Sequence, residues 1–158
     1  MSNELIKPHA GKLINCYCDN SKAQEYKDRA VNYSSHTLTD RQLCDLELIL
    51  NGAFSPLDGF MVQKDYNSVL DNNRLSDGNI WSIPIVLDIQ FELADSISIN
   101  DKLALRDKEG YLIAILEIND KWNYNKELEA KKVYGTTDIS HTGVRYLFEN
   151  GGDVCVGG

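Results

Sequence analysis

Residues 39–52 spell out both ends of an amphipathic helix, and no other stretch limits the fold as tightly. The Thr39 hydroxyl can accept a hydrogen bond from the backbone N–H three residues on, and Gln42 stands where a side chain can reach back to the first free N–H. Leu43, Leu46, Ile49 and Leu50 recur at helical spacing on one side, with Arg41, Asp45 and Glu47 off it. Gly52 then sits where a left-handed residue closes a helix. A helix with a single apolar stripe must bury it against another layer, so the rest of the chain has to supply that layer.

The middle third supplies it as β-structure. After the Asp77-Gly78 turn, Ile83, Ile85, Leu87 and Ile89 alternate, which predicts a strand over residues 80–89. Ile97 and Ile99 lead to residues 102–107, a turn at Asp107-Lys108-Glu109-Gly110, and residues 111–118, which read as a β-hairpin. Residues 13–18 alternate as a short strand, with Leu13, Asn15 and Tyr17 on one face. Residues 19–32 read as a solvated helix or loop, residues 64–70 and 126–134 as helices, and the tail from Gly135 as glycine-punctuated loop with a last short helix at 144–148. The expectation is an α+β fold: a mixed sheet or small barrel with several short peripheral helices, as one domain over residues 1–158.

A formal net charge of −8 repels polyanions, and no cluster of Lys or Arg offsets it beyond the pair Lys131-Lys132, so nucleic acid is not an expected partner. The apolar runs at residues 85–87 and 112–116 fall far short of the roughly 20 residues that span a bilayer. Without a secretory leader pattern, the four cysteines are expected as reduced thiols in the cytoplasm.

Candidate chemistry is sparse. His9, His36 and His141 lie far apart, none with a second His or Cys at ligand spacing, and are expected in solvated or structural hydrogen-bonding roles. Cys16 and Cys18 form a C-x-C pair, but only isolated Cys44 and Cys155 remain to complete a zinc set. Gly151-Gly152 and Gly157-Gly158 fit no phosphate-binding string and read as turns, while Asp45, Glu47, Asp58 and Asp65 read as solvated carboxylates of an acidic chain. No serine sits in a nucleophile elbow. No catalytic, cofactor-binding or metal-binding residue is therefore assigned. What remains is an ordered loop, Phe54-Ser55-Pro56-Leu57-Asp58-Gly59-Phe60, in which Pro56 presets φ, Gly59 accepts a positive φ and two aromatics pin the ends.

That loop continues the string Arg41-Gln42-Leu43-Cys44-Asp45-Leu46-Glu47-Leu48-Ile49-Leu50-Asn51-Gly52-Ala53, and the whole closely resembles the signature of ATP sulfurylases (sulfate adenylyltransferases). The resemblance continues through Arg74-Leu75-Ser76-Asp77-Gly78, Trp81-Ser82-Ile83-Pro84-Ile85, Leu105-Arg106-Asp107-Lys108-Glu109-Gly110 and Val133-Tyr134-Gly135-Thr136-Thr137-Asp138, with His141 and Gly143-Val144. Two departures stand out: Ala10 where the family usually has glycine, and Thr142 where a proline usually follows the histidine.

The resemblance implies a PUA-like β-barrel as amino-terminal domain. It also implies a separate nucleotide-binding domain that joins Mg-ATP and sulfate into adenosine 5′-phosphosulfate and pyrophosphate. The motifs of that second domain, Gln-x-Arg-Asn-Pro and His-x-x-His, do not occur in this sequence, so the chain is expected to be a non-catalytic scaffold that packs against the catalytic domain or a neighbouring subunit. Ser55, Pro56, Leu57, Asp58, Gly59 and Phe60 are the expected interdomain contact loop, with a purely intradomain turn as the alternative. Two other functions are carried forward: an RNA-binding PUA-type module, and a free-standing protein that docks onto a complete sulfurylase.

Overall fold

A computed structural model describes residues 5–158. The helix expected from residue 39 forms as α2 (Asp40–Leu50), and both halves of its capping box are made: the Thr39 hydroxyl accepts from the Gln42 N–H while the Gln42 side chain accepts from the Thr39 N–H. Gly52 follows at φ 82°, in the left-handed region, and ends the helix. Before α2 lie a single 3-10 turn at His9–Gly11, helix α1 (Asn20–Ala30) capped by Asp19, and strand β1 (Ser34–Thr37). After it come α3 (Gln63–Asn72), β2 (Leu87–Ile89), α4 (Phe91–Ser96), and the antiparallel pair β3 (Lys102–Arg106) and β4 (Leu112–Glu117). The chain closes with β5 (Asp120–Asn123), α5 (Lys126–Glu129) running into a π-helical turn at Ala130–Tyr134, α6 (Thr142–Asn150) and β6 (Val154–Gly157).

The strands make two three-stranded sheets, ordered β1-β3-β4 and β2-β6-β5. In the first, β1 runs parallel to β3; in the second, β6 is central and antiparallel to both neighbours. Neither sheet closes on itself, so the expected barrel is realised as the mixed-sheet form of the α+β reading. Both sheets feed one apolar core: Leu103 and Leu105 of β3 are buried together with Leu87 and Ile89 of β2, Val154 and Val156 of β6, and Leu46 and Ile49 of α2. Among the described residues, no helix is long and apolar enough to cross a membrane.

Three local expectations are corrected. The strand expected over residues 80–89 shrinks to Leu87–Ile89, because Pro84 has no N–H to give a ladder and the backbone before β2 is spent elsewhere. Trp81 N–H donates to Asn73 O, and Ile85 O accepts from Met61 N–H. Residues 13–18 form no strand: Ile14 N–H donates to the Ser55 hydroxyl and Cys16 N–H to Leu50 O, so the segment is stitched to a loop and to the end of α2. The glycine-rich tail holds the central strand β6 rather than loop alone. Its glycines answer to close approach, since a Cβ on Gly157 would meet Met61 O and one on Gly152 the backbone of Ile89.

Candidate functional site

The expected contact loop is half inside the molecule. Ser55, Leu57 and Phe60 are buried, Pro56 and Gly59 are half-buried, and Asp58 is exposed. The Ser55 hydroxyl donates to Gly52 O at 2.6 Å and accepts from Ile14 N–H at 2.9 Å, which locks the loop to both α2 and the incoming amino-terminal segment. Cys16 Sγ lies 3.6 Å from Asp58 O, and burial first, then the Asp58 carboxylate, push its thiol pKa up. On the other side, Gly158 N–H donates to Phe60 O at 3.0 Å, and a Cβ on Gly59 would overlap the Gly158 carbonyl oxygen. The loop is thus held between the amino-terminal segment and Gly158, with Asp58 exposed; Gly59 does not take the expected positive φ, and close approach to Gly158 is what requires a glycine there. Next to it, Phe54 meets Trp81 edge-on at 5.7 Å, Trp81 faces His9 at 6.2 Å, and Ile80 and Ile83 are largely exposed.

The histidines stay apart, each with its own partner. His9 Nε2 is 2.9 Å from Ile80 O, His36 Nε2 is 3.0 Å from Gln42 Oε1, and His141 Nδ1 accepts from Val144 N–H at 3.4 Å to cap α6 while its ring lies 5.0 Å from that of Tyr134. Cys16, Cys18, Cys44 and Cys155 are all free thiols. Among the described residues, no three His, Cys, Asp or Glu side chains gather as a metal would require.

Sequence reasoning missed a buried polar cluster behind α2. Asp88, the middle residue of β2, is 4% exposed and receives Arg41 Nη2 at 2.8 Å, Gln42 Nε2 at 3.2 Å and the Gly152 N–H on its carboxylate, while its backbone oxygen takes Gln42 Nε2 at 2.7 Å. Arg41 also approaches Asp45 at 3.6 Å and lies over the Tyr146 ring, 5.5 Å from its centre. Burial alone would lower the Arg41 pKa, but Asp88 and Asp45 more than offset it, so the guanidinium stays charged. Asp45, expected as a solvated carboxylate, is instead turned in towards Arg41 with its side chain 14% exposed, and burial pushes its pKa up against the pull of Arg41. Deeper still, the Tyr124 hydroxyl donates to Glu129 Oε1 at 2.9 Å. Arg41, Gln42 and Asp88 are committed to one another and to backbone, which is the pattern of a structural knot joining α2, β2 and the approach to β6, not of a site with a free nucleophile.

Compared with known proteins, residues 6–158 match the family of PUA-like domains. The chain is 45% identical to the sulfate adenylyltransferase of Kluyveromyces lactis over 98% of its own length and 31% of that protein's. It is 48% identical to the sulfate adenylyltransferase of Schizosaccharomyces pombe over 85% of this chain and 28% of that one. A probable bifunctional SAT/APS kinase 2 of Sorangium cellulosum is 41% identical over 93% of this chain and 25% of the relative. Among solved structures, the hexameric APS kinase from Thiobacillus denitrificans superposes with a TM-score of 0.69 at 37% identity, covering 77% of this chain and 24% of that one. The chain therefore spans between a quarter and two fifths of the length of the relatives it matches, and what it matches in the sulfate adenylyltransferases is their amino-terminal portion.

Proposed function

The chain belongs to the family of PUA-like domains, and from that premise we propose that it serves as the non-catalytic amino-terminal scaffold of a sulfate adenylyltransferase. Nucleotidyl transfer from Mg-ATP to sulfate then belongs to the remainder of such an enzyme, and the scaffold's task is to present a rigid face to it. The observation that supports this best is the position of the Ser55–Phe60 loop. Its inner residues are fixed by Ile14, Gly52 and Gly158, which leaves the exposed Asp58 on a rigid support. A loop held this firmly loses little entropy when a second body docks on it. The neighbouring Trp81, Ile80 and Ile83 would extend the contact with apolar area.

The RNA-binding alternative finds less support. Arg29, Arg41, Lys102, Lys108 and Lys132 each lie within ion-pair distance of a carboxylate, in a chain of net charge −8. The free thiols suit a compartment that keeps cysteines reduced, and with it a cytoplasmic place for the parent reaction, in sulfate assimilation or dissimilation.

The test is binding in trans. The chain is titrated with the remaining part of the Kluyveromyces lactis enzyme, as wild type and as Asp58→Arg, and each mixture is assayed for pyrophosphate release from ATP and sulfate. We expect the wild-type chain to bind, Asp58→Arg to bind at least about tenfold more weakly, and the chain alone to release no pyrophosphate. Turnover by the isolated chain, or equal binding by both variants, would overturn the proposal.

A further inference from the structure

Glu129 is a buried carboxyl with no cation to itself. It is 7% exposed, its Oε1 accepts from the Tyr124 hydroxyl, and its Oε2 has no hydrogen-bond partner. The Tyr66 hydroxyl is likewise buried without a partner, and the Tyr66 ring packs against both Trp122 and Tyr124, at 5.5 and 6.2 Å between centres. The cations nearby are committed elsewhere: Arg41 to Asp88 and Asp45, and Lys126 to Gly151 O at 2.7 Å. The other titratable groups that face Glu129 are Asp88 of β2, Cys155 of β6 and Tyr134, none of which offers a positive charge. A proton on Oε2 removes the buried charge and with it the cost of holding an unpaired carboxylate oxygen out of water.

The same residue sits at a seam. Ala130, Val144 and Leu147 form a small apolar cluster of their own, with Tyr124, Tyr134 and Phe148 packed around it, and Tyr124 also touches the main core. Residues 126–150 are also tied to the rest by Lys126 to Gly151, by Lys132 to Asp71 at 3.0 Å, by the Tyr146 ring beneath Arg41 with its hydroxyl 3.5 Å from Thr39 Oγ1, and by Val133 against the main core. A segment whose buried apolar cluster is separate from the main core can open without breaking that core.

We propose that Glu129 is a proton-operated latch: as a neutral acid it fastens residues 126–150 to the β2-β6-β5 sheet, and on ionisation it releases them. Burial is the largest influence on the Glu129 carboxyl and pushes its pKa up, opposed by the Tyr124 and Tyr66 hydroxyls and Arg41 and reinforced by Asp88. The sign follows. A carboxyl raised in the docked state favours docking below its ordinary pKa, and that preference is lost as the pH rises through the raised value.

Amide hydrogen exchange across α6, corrected for intrinsic rates, reads the latch directly. From about pH 5 to about pH 9, protection of Val144 and Leu147 should fall about tenfold in the wild-type chain while Leu103 and Leu105 of β3 hold. Glu129→Gln, which keeps an acceptor for Tyr124 and cannot ionise, should flatten the profile. Lys132→Ala weakens the same docking without touching the proton, so it should lower α6 protection at every pH and leave the slope. A slope that persists in Glu129→Gln or vanishes in Lys132→Ala, or a Glu129 carboxyl carbon that titrates in NMR like an exposed glutamate, would overturn the proposal.

Discussion

Ala10 occupies the left-handed region at φ 58°, ψ 12°, where its Cβ crowds the backbone and where the resembled family usually has glycine. The strain is a property of one residue, and so is its relief. Ala10→Gly should raise stability by about 0.5–1 kcal/mol in urea unfolding, after the extra freedom of glycine in the unfolded chain is subtracted; an unchanged or lower midpoint would show that the turn carries no such strain. Single residues also mark what the sequence could and could not tell. Gln42 was legible as a capping residue because its partner Thr39 is three positions away. Its second bond, to Asp88 forty-six positions on, has no local signal, and the buried knot around Arg41 went unread with it. Glu129, inside a run of helix formers, carries no local sign that the fold buries it and puts the Tyr124 hydroxyl against it.

Elements were read well where their ends are chemical and local. Helix α2 announces its start with Thr39 and Gln42, its stop with Gly52, and its face with Leu46 and Ile49, all within one window. Thr39→Ala should therefore cost about 1 kcal/mol, measured as a fall in the urea midpoint at unchanged slope. A change below about 0.3 kcal/mol would mean that packing on the sheet, not the cap, fixes the helix start. The β3–β4 hairpin was legible for the same reason, its turn lying between its strands. Strands β1 and β6 were not. Ser34–Thr37 is polar and mostly exposed at a sheet edge, and Val154–Gly157 is flanked by glycines that serve close backbone approach. Residues 80–86 erred the other way, with strand-like alternation whose hydrogen bonds go to loops.

At the scale of the whole molecule, the two sheets share one core, so they should unfold together despite belonging to separate ladders. The two tryptophans allow a check, Trp81 at the surface near Phe54 and Trp122 at 7% exposure on β5. Within Trp81→Phe and within Trp122→Phe, the urea transition followed by fluorescence of the remaining tryptophan should coincide with that followed by far-ultraviolet circular dichroism of the same variant; midpoints that separate between probes in one variant would divide the molecule into two folding units. The central place of β6 has one more consequence, in time rather than in space. A ribosome emits β2 and β5 well before Val154–Gly157, yet neither edge strand has its partner until that segment clears the exit tunnel. Until then Leu87 and Ile89 lack their cover, and a nascent chain paused before residue 154 would carry that apolar edge open to chaperones.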